Sequence, residues 1–179
     1  MIVIDTNVVS ELMRPEPERS VLSWMDGLRR AEIGITAITV AEILYGIGAM
    51  PESKRKQGLF QAARSLFDAD FGGRIYPFDH LAAVEYADIV LQRDRLGSPI
   101  SMPDAQIAAI CRASDHQLAT RNVKDFQNTG VSLMNPWEIC GSIPRSGSAS
   151  SPAASPAAAT PWPAPAAPPT SKWQRLWES

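Results

Sequence analysis

The 179-residue sequence is poor in the side chains that hold soft metals or form cross-links, with only two cysteines and two histidines. Cys111 sits inside a helical pattern and Cys140 at the edge of the apolar part of the chain. Neither has the paired spacing of a zinc site or a redox motif, so both read as reduced thiols. His80 and His116 each stand alone near an expected helix end and read as exposed or satisfied side chains rather than ligands. An excess of basic charge is also missing: 17 Lys and Arg stand against 19 Asp and Glu, a formal charge of −2 with a pI near 5.7. Such a chain has no global attraction for a polyanion, and a nucleic-acid partner has to be met by local patches or by metal. No run approaches the roughly eighteen apolar residues of a spanning helix, and no basic-then-apolar leader precedes the first strand. The expectation is a cytoplasmic protein with no membrane contact.

What is present suffices for one domain. Apolar residues make up 45% of the chain and charged ones 20%, enough for a sizeable core. The pattern changes after Cys140: Gly141 to Ser179 contain eight Pro, nine Ala and eight Ser in 39 positions. Such a segment buries too little apolar surface to offset its ordering entropy. The expected organisation is a globular domain over residues 1–140 and a disordered Pro/Ala/Ser-rich tail over 141–179. Its terminal "SKWQRLWES", with Trp173, Leu176 and Trp177, reads as an accidental extension rather than a docking peptide. The domain alone carries 14 basic and 18 acidic residues, a charge of −4.

Within the domain, strand and helix periods alternate. "IVI" at residues 2–4 is a continuous apolar run of the kind buried on both faces. "AEIGIT", "RIYPF", "HQLAT" and "VSLMN" read as further short strands. Between them "SVLSWMDGLRR" places Val21, Met25 and Leu28 at helical spacing, "TVAEILYGIG" is a helix ending in glycines, and "SKRKQGLFQAARSLF" carries Leu59, Ala63 and Leu66. In "DHLAAVEYADIVLQRDRLG" the expected core stripe is Val84, Ala87, Val90 and Leu91, with Gly97 as the C-terminal cap. The alternation predicts an α/β fold with a mostly parallel sheet, whose functional groups collect at the carboxyl ends of the strands.

Four such ends carry polar chemistry. Asp5 follows "IVI" and precedes Thr6, Asn7 and Ser10; a helix cap explains it by itself. Glu42 lies in "TVAEI", where Thr39 and Glu42 have capping-box spacing. Asp104 lies in "SMPDAQIAAI", three residues after Ser101, with Pro103 suited to a first turn. Asn122 follows "LAT", with Arg121 and Lys124 beside it as local positive charge. Capping accounts for each acid singly but not for three at one sheet edge. Several carboxylates gathered on one rim repel unless a cation lies between them, and oxygen-only donors suit a hard ion such as Mg²⁺ or Mn²⁺. The Lys54, Arg55 and Lys56 cluster reads as a solvated face.

The series "VIDTNVVSEL", "ITAITVAEILYGI", "SMPDAQIAAI", "LATRNVKDF" and "NPWE" resembles the PIN-domain family, and within it the VapC and FitB type of bacterial toxin nuclease, over residues 1 to about 139. The resemblance implies a PIN-like three-layer fold, an acidic pocket for Mg²⁺ or Mn²⁺, and endonucleolytic cleavage of RNA by metal-activated water that leaves 5′-phosphate and 3′-hydroxyl ends. It also implies a homodimer and a cognate VapB-like or FitA-like antitoxin. Carried over by residue, it assigns metal binding to Asp5, Asp104 and Glu42, with Asp5 and Asp104 as the principal ligands and Glu42 holding a metal-bound water or a second ion. The family's fourth position, often aspartate, falls on Asn122, which leaves one charge fewer there. Asn7, Ser10 and Thr120 match small polar positions that shape the pocket, and Arg121 and Lys124 are the candidates for RNA phosphates. Two other readings compete. An aspartyl-phosphate enzyme wants a second acid close to the first, which "DTN" lacks. A catalytically weak PIN-like module that only binds RNA or protein has Asn122 in its favour.

Overall fold

The computed structural model describes residues 1–139. Five strands, β1 (Ile2–Ile4), β2 (Ile33–Thr36), β3 (Ile75–Tyr76), β4 (Gln117–Ala119) and β5 (Leu133–Met134), form one wholly parallel sheet in the order β3-β2-β1-β4-β5. All five arise from the segments expected to be strands. Six α-helices flank them: α1 (Thr6–Leu12), α2 (Arg19–Asp26), α3 (Ala37–Gly48), α4 (Lys54–Ser65), α5 (His80–Arg95) and α6 (Met102–Ala113).

The central strand explains the three layers. Successive strand residues point to opposite faces, and Val3 and Ile4, both fully buried, belong to two different cores. Ile4 packs with Val8 and Val9 of α1, Ile43 and Ile47 of α3 and Leu59 and Ala63 of α4. Val3 packs on the other side with Ile107 and Ile110 of α6, Ile89 of α5, Leu118 and Phe126. Gly34 of β2 lies where a Cβ would stand 2.5 Å from the Tyr76 ring, so this close approach of β2 and β3 needs glycine.

Sheet order also places the site. From β1 the chain steps outward through β2 to β3, then crosses back to lay β4 on the other side of β1. Where the direction of winding reverses, the connections diverge and leave a crevice beyond the carboxyl ends of the strands. Here that point lies between β1 and β4, and the backbone N–H of Asp5 donates to the Ala119 carbonyl across it at 3.0 Å.

Two local expectations are corrected. Helix α3 starts one turn earlier than its capping-box spacing suggests: Thr36 is the N-cap, its hydroxyl accepting the Thr39 N–H at 3.0 Å, so Glu42 lies in the second turn. The expected stripe on α5 faces outward, with Val84 67% and Leu91 54% exposed. The residues it buries are Ala82, Ile89 and Arg93. Arg93 reaches that face because its aliphatic stem packs while its guanidinium donates to the Gln127 carbonyl. The end of α5 is as expected: Gly97 takes φ +63°, and the N–H groups of Gly97 and Ser98 bond back to the Asp94 and Arg93 carbonyls. Among the described residues no helix is long and apolar enough to cross a membrane. The boundary near Cys140 and the tail with Trp173, Leu176 and Trp177 lie outside the described residues.

Candidate active site

Strand β1 ends in an extended residue whose side chain caps the next helix. Asp5 Oδ1 accepts the Thr6 N–H at 2.7 Å, while Oδ2 accepts from Asn7 Nδ2 and the Thr120 hydroxyl, each at 2.7 Å. The cap uses one oxygen and leaves the other in the crevice network, so capping and site membership are compatible. Asp5 is 5% exposed, and burial pushes its carboxyl up to about 6. The Thr120 hydroxyl and the Thr6 N–H pull it down, and the negative charges of Asp104 and Glu42 push it up further.

Thr120, just past β4, joins distant parts of the chain. Its oxygen also accepts from Asn7 Nδ2 at 2.9 Å and from the Asn122 N–H at 3.0 Å, while Asn7 Oδ1 accepts the Arg121 N–H at 3.1 Å. The "DTN" and "ATRN" segments are thereby locked together. Glu42 accepts a hydrogen bond from the Thr6 hydroxyl. At the start of α6, Asp104 is fixed in both directions by Ser101, whose hydroxyl accepts the Asp104 N–H at 3.2 Å and donates to Oδ2 at 2.5 Å. Asn122 donates to the Asp125 carboxylate.

These groups line one cleft of about 490 Å³, formed by Asp5, Thr6, Asn7, Ser10, Glu11, Arg14, Glu42, Asp104 and Asn122. The structure thus brings together Asp5, Glu42, Asp104 and Asn122, with Asn7 and Ser10 on the wall and Thr120 buried behind Asp5. Arg121 joins the network through its backbone, and its guanidinium lies over the Trp137 ring, 5.3 Å from the centroid. Lys124 is exposed and is not among the lining residues. Lys56 pairs with Glu52 on the solvated start of α4. Sequence reasoning missed Glu11 and Arg14; their i, i+3 spacing just beyond Ser10 was the available signal.

The donor set is oxygen only and strongly acidic. Among the described residues no three His, Cys, Asp or Glu side chains converge into a ready-made metal cage; the acids share a cleft, each turned on its own hydrogen-bond partner. That arrangement fits Mg²⁺, which takes one or two carboxylates and keeps several waters, and it fits poorly with an ion that needs a closed protein cage. The Asp5 carboxyl is raised chiefly by burial, and the Asp104 and Glu42 charges add to it; a cation bound beside these acids would relieve that last contribution.

The fold is a three-layer parallel domain with an acidic cleft at its switch point, and the chain belongs to the PIN domain family, whose sequence model matches residues 2–131. The chain is 40% identical over 138 residues to the VapC ribonuclease Y4jK of Sinorhizobium fredii, covering 77% of this chain and 99% of that protein. It is 36% identical over 137 residues to the toxin FitB of Neisseria gonorrhoeae, covering 76% and 99%. The crystal structure of FitAcB from Neisseria gonorrhoeae superposes with a TM-score of 0.74 at 36% identity, over 78% of this chain and all of that one.

Proposed function

We propose that this protein is a divalent-metal-dependent endoribonuclease and the toxin of a toxin–antitoxin pair. The observation that carries the reading is the meeting of Asp5, just past β1, with Glu42 of α3 and Asp104 of α6 in one cleft at the switch point of the sheet. The likeness to a VapC ribonuclease and to toxin FitB supports it. Asp5 and Asp104 would hold Mg²⁺ or Mn²⁺, and Glu42 a water of its coordination sphere. When bound, the ion supplies an activated water and offsets the charge that builds on the phosphoryl oxygens.

The chain's own residues do the rest. Thr120 and Asn7 hold Asp5 Oδ2 by donated hydrogen bonds, which favours its ionised, ligating form. Thr6 orients the Glu42 carboxylate and Ser101 that of Asp104. Asn122, tied to Asp125, orients solvent at the fourth corner without adding charge. Arg121, held against Trp137, contacts phosphate beside the cleft. The partner is a FitA-like or VapB-like antitoxin, the active form a homodimer, and the compartment the cytosol.

The test is cleavage of mixed RNA by purified, antitoxin-free protein with Mg²⁺, with Mn²⁺ and with chelator, alongside light scattering for the dimer. Cleavage with either metal and none with chelator is the expected result. The second reading, an RNA- or protein-binding module, is favoured by Asn122, and RNA left intact under every metal condition would establish it instead.

A further inference from the structure

Arg14 is the single cation among the residues that line the cleft, which also include four carboxylates, Asp5, Glu11, Glu42 and Asp104. Its side chain is 62% exposed, whereas that of its partner Glu11 is 6% exposed. Both Glu11 oxygens engage Arg14 Nη1, at 3.2 and 3.3 Å, and Glu11 Oε1 also accepts the Glu18 N–H at 2.9 Å. Glu18 is the N-cap of α2, so a buried carboxylate fixed by the next helix holds an exposed guanidinium at the mouth of an acidic cleft. Among the described residues only Nη1 of Arg14 is bonded, which leaves Nε and Nη2 for a ligand.

A guanidinium at that position works against cation binding by the acids, because like charges repel. It works in favour of a ligand that brings negative charge past the cleft. Arg14 follows the C-cap Met13, at the far end of α1 from Asp5, and its guanidinium is held by Glu11 rather than by Asp5, Glu42 or Asp104. A group anchored there, at the edge of the cleft, is placed for a phosphate beside the one being attacked. A guanidinium is also the side chain best matched to phosphate oxygens, through paired N–H donors.

We propose that Arg14, pre-oriented by Glu11, grips a phosphate of the RNA strand outside the scissile one and so sets the path of the strand across the cleft. The inference rests on the nuclease reading. It makes Arg14 a substrate-binding residue and Glu11 a positioning residue, and it selects for an extended polynucleotide over a single phosphodiester.

Steady-state cleavage of a single-stranded RNA oligonucleotide and of a dinucleotide by the full-length wild type, Arg14→Gln, Arg14→Lys and Glu11→Gln tests this. For the oligonucleotide, Arg14→Gln is expected to raise KM about tenfold with kcat within about twofold. It should also reduce the slope of log KM against log salt by about 0.7, the release due to one single-strand phosphate. Arg14→Lys restores the slope and part of the KM, and Glu11→Gln raises KM by about threefold with the slope intact. At saturating Mg²⁺ the dinucleotide, which has no neighbouring phosphate, loses much less than the oligonucleotide does on Arg14→Gln, and an equal loss on both substrates would overturn the proposal. A clamp between α1 and α2 with no ligand role predicts instead a lower melting temperature and an unchanged salt slope. If the wild type cleaves and Arg14→Gln keeps its KM and slope, the proposal falls while the nuclease reading stands. Should the wild type bind the oligonucleotide without cleaving it, and Arg14→Gln bind it about tenfold more weakly, the phosphate contact stands and the nuclease reading falls. Wild type that neither binds nor cleaves RNA overturns both.

Discussion

Helices α5 and α6 pack against each other on the same side of the sheet, yet only one of them makes the site. α6 lies directly on β1 and β4, with Ala105 and the run Ile107–Cys111 all buried. α5 lies outside it, burying Ala82, Ile89 and Arg93 and leaving Leu81, Val84 and Leu91 more than half exposed. Each begins with an acid that serves its helix. Asp79 caps α5 by accepting the Ala82 N–H at 3.0 Å, and Asp104 sits in the first turn of α6. Only Asp104 reaches the cleft, because only α6 begins beside the carboxyl ends of β1 and β4. The pair teaches that local chemistry puts an acid at a helix start, and that layer and position decide whether that acid becomes part of a site.

The sharpest way to break this comparison is to remove the two acids in turn. Asp104→Ala is expected to lower RNA cleavage by about a thousandfold or more, about 4 kcal/mol of lost transition-state stabilisation. Asp79→Ala is expected to leave cleavage unchanged and to cost about 1 kcal/mol of stability from the lost cap. Equal losses of activity would erase the distinction between the helices. A denaturant titration compares their apolar residues: Ile107→Ala should destabilise by about 3 kcal/mol through transfer and cavity terms, and Val84→Ala by less than about 0.5 kcal/mol.

Proton linkage gives a third, smaller contrast. The Asp5 carboxyl is pushed from 3.8 to about 6 in the folded protein, so between these values the folded state holds a proton that the unfolded chain has lost. The stability this contributes is present in full below about pH 4 and is lost as pH rises through 6, by at most about 3 kcal/mol in metal-free protein. Urea midpoints from pH 4 to 7 should fall accordingly, and Mg²⁺ should flatten the fall by favouring ionised Asp5. Asp104→Asn, which removes one of the charges acting on Asp5, should shift the fall to lower pH; Asp79→Asn should leave it in place. The smallest expected effect is that of deleting residues 141–179, which should change neither cleavage nor the melting temperature of the domain measurably.

Legibility in the sequence followed the range of the physics. All five strands were readable because short apolar runs bounded by polar turns are local signals, and the caps at Asp5 and Ser101 were readable because they join near neighbours. The α5 face was misjudged because that helix carries apolar residues on two sides, and periodicity says nothing of which side meets α6. Thr39 and Glu42 fitted a capping spacing while the earlier Thr36 took the cap. Glu11 and Arg14 were passed over because a buried Glu at the end of α1 has meaning only once the Glu18 N–H comes to meet it.

From its residues alone, this chain determined the alternation of strand and helix, the carboxylates at strand ends, and membership of a family recognisable from five short motifs. Those properties depend on neighbours in sequence and on side-chain chemistry. Tertiary structure decided which acids share a cleft, that Asp5 is buried enough to be held well above the ordinary carboxylate range, and that one guanidinium stands among them. The reason is that a parallel sheet brings together chain segments more than a hundred residues apart, and the energy of a charge depends on what surrounds it in space.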